Sequence, residues 1–322
     1  MDNNLNSCIT DFFPRPTTNK RYYQFSEYLK TKFGKKVYKI TLDAGFCCPN
    51  RDGTISSGGC IFCDDGGSFS RAHSNILSVK EQVLTGIDTL SNRFGAKKFM
   101  AYFQAYTNTY KPVNELKIIY DEAFCHEDII GISIGTRPDC VDEEKLDLIA
   151  SYTDSKEVWI EYGLQSMHDK TLQFINRGHN FETFLKAFEQ TKKRGIKIGV
   201  HVILGLPNET KDEMLQTIKT LSELGVDGIK FHCLCIFPNT KLYDMYEKGQ
   251  IPLMEEDEYI NIACDCLELL PQTTTIHRLG GNGLQAIKVA PKWLNKKFEI
   301  LNKIDRELEN RNSHQGKKYI KP

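Results

Sequence analysis

Six short apolar, β-rich runs alternate along this chain with stretches of helical spacing, and that alternation leaves few folds open. The runs are "VYKITLDAGF" (37–46), "KKFMAYFQA" (97–105), "IIGISIGT" (129–136), "EVWIEYGLQS" (157–166), "KIGVHVILGLP" (197–207) and "DGIKFHCLCIF" (227–237). Between them lie "VKEQVLTGIDTLSNRF", "ELKIIYDEAF", "FETFLKAFEQTKKRG" and "KDEMLQTIKTLSELG", the last two ending on glycine at the usual helix stop. Parallel neighbours need a crossover that helices usually supply, so the alternation predicts an α/β fold with a parallel sheet. No glycine-rich dinucleotide turn follows the first run, so a partial (β/α)6 barrel suits the pattern better than a doubly wound sheet. Two further helical stretches, "EDEYINIACDCLELL" and "WLNKKFEILNKIDRELENR", close the chain. The expected organisation is a basic N-terminal segment (1–36), a barrel core (37–250) and a helical, basic C-terminal extension packed on it (251–322).

In such barrels chemistry sits at the carboxyl ends of the strands. Directly after the first run comes "GFCCPNRDGTISSGGCIFCDDGGSF", which places Cys47, Cys48, Cys60 and Cys63 in a loop of glycine, serine and small polar residues. The chain is long enough to bury a core without staples, and 11 cysteines in 322 residues fall short of a disulfide scaffold. The N-terminus lacks a basic start followed by an apolar run, and nowhere do 18 apolar residues run together. The expectation is a cytoplasmic protein with reduced thiols and no membrane partner. Zinc is one candidate for the thiols. Cys47 and Cys48 are adjacent, however, so their side chains diverge and one is spare. Three thiolates can also hold a four-iron cluster and leave one iron open to a chelating substrate. Spacing alone leaves both metals open.

Net charge is zero but unevenly spread. Arg15 to Lys39 holds eight Lys/Arg against one Glu, and Lys288 to Pro322 holds ten against four acids. Such segregation can mark a nucleic-acid face built from the two chain ends, or simply solvated helix surfaces.

"CPNRDG" followed by "GGCIFC" resembles the radical S-adenosylmethionine (radical SAM) enzymes, and more narrowly the bacterial branch grouped with the elongator catalytic subunit. The usual superfamily spacing is three residues and then two; here eleven separate Cys48 from Cys60, a longer gap that this branch shows. The resemblance extends through "YFQAYTNTY", "TRPD", "EYGLQS", "RGHN", "GLPNET" and the C-terminal "QGKKY". It implies a 4Fe–4S cluster held by Cys48, Cys60 and Cys63, with Cys47 as the spare neighbour. It further implies S-adenosylmethionine as cofactor, an electron donor such as flavodoxin or ferredoxin, and cofactor cleavage to a 5′-deoxyadenosyl radical that abstracts hydrogen from substrate.

Cofactor contacts are expected at the strand ends. Gln104, Tyr106, Thr107 and Asn108 close the second run, where the superfamily usually binds the methionine amino group, although the common Gly-Gly-Glu pattern is absent. By resemblance, Arg137 and Asp139 of "GTRPD" face cofactor or substrate. Period-two alternation puts Glu161, Gly163 and Gln165 on one strand face, expected to be the lumen. Bland readings stand beside these: Glu161 can simply pair with Arg137, and Asn108 can shape a turn. Gly205 and Pro207 are expected to shape the pocket near the adenine, with Asn208, Glu209 and Thr210 suited to capping the next helix. His201, His232, Cys233 and Cys235 read equally as core or functional residues. The branch implies tRNA as partner and the carbon-5 side chain of the wobble uridine as the position modified. No acetyl-transfer domain follows the last helical stretch, so acetyl addition is not carried over. A radical enzyme acting on a small metabolite or peptide, and a metal-bearing RNA-binding protein without enzymatic activity, are the alternatives.

Overall fold

The computed structural model describes residues 20–64, 77–280 and 288–321. Within them, all six expected runs form strands: β1 (Val37–Leu42), β2 (Lys98–Phe103), β3 (Ile129–Thr136), β4 (Glu157–Gln165), β5 (Lys197–Leu204) and β6 (Gly228–Cys233). A seventh, β7 (Thr275–Leu279), lies in the stretch expected to be purely helical. "TIHRL" is only five residues and carries a histidine and an arginine, so it shows no apolar run. All pairings are parallel, in the sequential order β1 to β7, giving a curled half-barrel.

Ten helices occur among the described residues: α1 (Phe25–Phe33), α2 (Val79–Phe94), α3 (Val113–Ala123), α4 (Glu143–Ala150), α5 (Asp169–Phe174), α6 (Phe181–Lys193), α7 (Lys211–Leu224), α8 (Lys241–Glu247), α9 (Glu256–Leu269) and α10 (Lys297–Asn310). Local chemistry fixes their ends. Ser78 with Glu81 and Thr210 with Glu213 form capping boxes at α2 and α7, each satisfying two otherwise orphaned N–H groups. Helices cover the outer face of the sheet, which buries Leu42, Phe103, Ile132, Ile134, Ile160, Tyr162, Val200, Val202, Ile229 and Phe231. Each such aliphatic or phenyl side chain contributes about 1.5–3 kcal/mol on burial.

The inner face is different in kind. Lys39, Tyr102, Ser133, Glu161, His201, Lys230 and Arg278 stand on successive strands of a half-barrel whose outer positions are apolar. A polar lumen in a parallel sheet is costly unless its groups pair, and its concentration here marks the site.

The two chain ends do meet: Gln315 N–H donates to Arg21 O at 2.9 Å, and Tyr23 N–H donates to Gln315 Oε1 at 2.8 Å. They meet at the amino-terminal edge of the sheet, because Gln315 Nε2 also donates to Pro271 O and Thr274 O just before β7. Lys35 and Lys36 sit at the same edge, immediately before β1. Lys35, Lys36 and the end of the chain therefore lie away from the strand ends that carry the cysteine loop, whereas Lys288, at the start of the second basic segment, stands near Cys233 and Cys235 at the far end of β6; residues 15–19 of the first segment lie outside the described residues. No helix among the described residues is long and apolar enough to cross a membrane.

Candidate active site

The loop after β1 folds on its own backbone. Arg51 and Asp52 N–H groups donate to Cys48 O, Ile55 N–H to Pro49 O, Gly59 N–H to Asn50 O, and Cys63 N–H to Cys60 O. Gly58 and Gly59 take φ values of 82° and 78°, which side chains rarely adopt, so the turn into Cys60 depends on them. The result brings Cys48, Cys60 and Cys63 to one cavity of about 220 Å³, while Cys47 is exposed and does not line it.

A second segment, "INRGHN", clamps the loop from across the barrel. Asn176 Nδ2 donates to Gly59 O at 2.8 Å and Ser56 Oγ at 3.0 Å, and Asn50 Nδ2 donates back to Asn176 O at 2.6 Å. Arg177 lies between the two: Nε donates to Gly163 O at 3.1 Å and Nη1 lies 3.6 Å from Cys60 Sγ. Gly178, at φ 78°, permits this approach, since a Cβ there would stand 2.4 Å from Asn50 Oδ1. Arg137 extends the chain of contacts by donating to Arg177 O at 2.8 Å and gripping Asp139 with both Nε (2.8 Å) and Nη2 (2.6 Å).

Cys60 Sγ thus faces two N–H donors, from Arg177 and from Asn50 at 3.6 Å, an arrangement suited to an anionic sulfur. Asn50 Oδ1 is buried with no hydrogen-bond partner among the described residues. Burial, and next the neighbouring Cys60, push the Cys63 thiol up to about 12, so binding a metal there displaces a proton. Among the described residues, no three His, Cys, Asp or Glu side chains converge on a single metal ion. Three thiols spread along one cavity wall, with N–H groups aimed at sulfur, fit a multi-iron cluster.

Gln104, Tyr106, Thr107, Arg137, Glu161, Gly163 and Gln165 line the same cavity, as do His201, His232, Cys233 and Cys235. Tyr106 (φ 60°) and Gln165 (φ 78°) hold left-handed backbone that non-glycine residues adopt only at a cost, and both strained residues face the cavity. Four expected contacts stand elsewhere. Asn108 is buried with Nδ2 on Gly135 O, so it shapes the turn. Asp139 clamps Arg137, and Gly205 and Pro207 fall outside the lining, where Ile203 takes the wall; of Asn208, Glu209 and Thr210, it is Thr210 that takes the N-cap of α7.

Glu161 does not pair with Arg137. Its carboxylate meets Lys230, Lys39 at 3.1 Å and His201 Nε2 at 2.9 Å, and it accepts from Ser133 Oγ at 2.7 Å. Burial opposes its ionisation, but Lys230 and Lys39 outweigh burial and hold the carboxyl well below its usual range. Burial and Lys230 lower His201 to about 4, so it is neutral at pH 7. Sequence reasoning missed Arg51, Phe62, Tyr102, Arg177, Phe237 and Arg278, all on the cavity. Period two within β2 offered a signal for Tyr102; Arg278 had none, because its strand was not anticipated.

A half-barrel with three thiols on its first loop and strained polar residues at the strand ends defines a cluster-bearing barrel enzyme. The sequence agrees: the radical SAM superfamily profile matches residues 50–221 and the radical SAM C-terminal domain matches residues 226–310. The chain belongs to the radical SAM superfamily, whose enzymes bind a 4Fe–4S cluster and S-adenosylmethionine. Uncharacterized protein YtqA of Bacillus subtilis is 40% identical over 309 residues, covering 95% of either chain. A tRNA uridine(34) acetyltransferase of Methanocaldococcus infernus is 26% identical over 153 residues, 47% of this chain and 28% of that protein. The solved structure of Elp3 from the same archaeon superposes with a TM-score of 0.66 at 15% identity, covering 87% of this chain and 64% of that one, a likeness of fold.

Proposed function

We propose that this protein is a radical SAM enzyme that modifies the carbon-5 side chain of the wobble uridine in tRNA. The observation that carries the reading is the cavity itself, where Phe62, Tyr106 and Phe237 stand beside the three cysteines, offering aromatic faces on which a splayed-out base can stack. The sequence likeness to a tRNA uridine(34) acetyltransferase supports the same substrate class.

When bound, the cluster and S-adenosylmethionine supply a 5′-deoxyadenosyl radical that takes a hydrogen atom from substrate. Cys48, Cys60 and Cys63 are the residues to hold that cluster. Arg177 ties the cysteine loop to β4, so the thiols and the strand-end groups of Gly163 and Gln165 keep a fixed relation. Gln104, Thr107 and Gln165 line the wall with hydrogen-bonding groups suited to an amino-carboxylate and a ribose. The aromatic side chains at the mouth exclude water once a base is seated.

Mass spectrometry of tRNA nucleosides from a strain lacking the gene tests the reading. A wobble uridine should accumulate as a precursor and be restored by the wild type but not by Cys60→Ala. An unchanged nucleoside profile overturns it.

A further inference from the structure

Among the described residues, the lumen below the cysteines carries more positive charge than its carboxylate pairs. Glu161 is the carboxylate that faces Lys39 and Lys230, and its side chain is wholly buried, with Lys230 only 4% exposed. Arg278 adds a third cation. It pairs in register with Lys230 across β6 and β7, which sets two cationic side chains next to each other on the inner face. Arg278 lines the cavity and has neither a hydrogen bond nor an ion pair among the described residues. The surrounding histidines do not add charge at neutral pH: burial lowers both His201 and His232, helped by Lys230 at His201 and by His201 and Arg278 at His232. Burial, with Lys39 and Arg278, also presses Lys230 toward its neutral form against the pull of Glu161. Even with Lys230 neutral, Lys39 and Arg278 leave one positive charge over after Glu161 is counted.

A second observation points to the same place. His232 lies two residues beyond Lys230 on the same face of β6, lines the cavity, and its Nε2 is buried with no hydrogen-bond partner among the described residues. Buried polar atoms are almost always satisfied, so an imidazole nitrogen without a partner among the described residues, close to a half-buried guanidinium that likewise has none among them, points to donors left for a ligand. Neither group belongs to the cysteine loop, and neither is needed to hold Glu161.

We propose that Arg278 and His232 form a binding site for a compact oxyanion, a carboxylate or phosphate carried by the substrate, at the floor of the cavity. The guanidinium fork supplies paired N–H donors and the imidazole a further one, while Lys39 and Lys230 behind them supply a field that Glu161 cancels only in part. A ligand anchored there has its other end directed toward the thiols, which selects substrates bearing an anion at one end and the reacting carbon at the other. This inference rests on the cavity being the substrate site, and it does not require the substrate to be tRNA.

The test uses anaerobically reconstituted, cluster-loaded protein with saturating S-adenosylmethionine, titrated with trifluoroacetate by fluorine NMR and with inorganic phosphate by phosphorus NMR. One of the two oxyanions should bind saturably, identifying the class, and Arg278→Gln should weaken it at least tenfold. Arg278→Gln should also melt at or above the wild-type temperature, because it removes a charge that has no ion-pair partner among the described residues; His232→Leu is the second variant, with weakened binding expected as well. Absence of saturable binding by both probes, or binding by Arg278→Gln and His232→Leu as tight as by the wild type, would each overturn the site. Binding that persists alongside an unchanged tRNA nucleoside profile would sink the tRNA reading and leave this one standing.

Discussion

Arg177 Nη1 lies 3.6 Å from the sulfur of Cys60 while its Nε and Nη2 both hold the carbonyl oxygen of Gly163. One side chain therefore couples the cysteine loop to the strand whose end carries Gln165. Hydrogen bonds to ligand sulfurs and nearby charge help to set a cluster's reduction potential.

Arg177→Gln removes the charged donor from Cys60 and both donors from Gly163 O. The buried carbonyl loses both of these donors and the buried sulfur one of its two, with Asn50 Nδ2 remaining, so stability should fall by about 2–3 kcal/mol. The cluster potential should become more negative, since the reduced, more anionic state loses a stabilising cation. A potentiometric titration followed by electron paramagnetic resonance reads the shift; an unchanged potential in a fully loaded variant would remove Arg177 from this role.

The cysteine series separates ligands from neighbour. Cys48, Cys60 and Cys63 line the cavity and Cys47 does not. Anaerobic reconstitution of Cys47→Ala should give about four iron and four sulfide per chain, the content of one cubane cluster. Alanine at any of the other three should leave less than half of that. Full iron in Cys48→Ala with loss in Cys47→Ala would reverse the assignment.

Sequence reading reached the fold because the strands of a covered parallel sheet are apolar on at least one face, and six of them announce themselves as runs. β7 escaped because Thr275–Leu279 carries His277, stacked on Phe25, and Arg278, on the cavity, within five residues, and has no run to show. The cysteine loop was legible because thiols in a glycine-rich loop have few other uses. Arg177 and Arg278 were not, because their partners are 117 residues away in one case and absent among the described residues in the other. Period two placed Glu161 correctly in the lumen, yet its partners Lys39, Lys230 and His201 come from three other strands, and no local pattern links them.

Acid should weaken the fold in a defined window. Burial first lowers His201 to about 4 and His277 to about 3, against about 6.5 in an unfolded chain. Between pH 6.5 and 4 the unfolded chain takes up protons that the native lumen refuses, so stability falls as pH falls, by up to about 1.4 kcal/mol per pH unit for each histidine. Glu161, held below its usual range, adds a further loss once the pH drops below about 4.5, where the unfolded carboxyl protonates first. Urea midpoints of cluster-free protein at pH 7.5, 6 and 5 should decline in that order, and His277→Gln should flatten the slope. Equal midpoints across the series would show that these histidines titrate in the native lumen as they do in the unfolded chain, and midpoints that rise toward pH 5 would show that the lumen holds them protonated.

The position of the basic residues sharpens how tRNA is to be held. Lys35 and Lys36 lie at the amino-terminal edge of the sheet, whereas Lys241 begins α8 beside Leu242, whose N–H donates to Ile61 O within the cysteine loop at 2.9 Å. Lys241 and Lys248 are exposed on the cavity's side of the barrel and have no ion-pair partner among the described residues. Each lysine that neutralises a phosphate steepens the salt dependence of binding by about one unit of slope. Lys241→Glu with Lys248→Glu should therefore weaken tRNA binding and reduce the slope of log K against log salt by about 2, while Lys35→Glu with Lys36→Glu should leave both nearly unchanged. Filter-binding titrations from 50 to 200 mM salt, the range in which phosphate contacts dominate, measure the two slopes directly. A larger effect from the Lys35 and Lys36 pair would place the RNA on the opposite edge of the sheet, away from the cysteines, and would argue against a base entering this cavity.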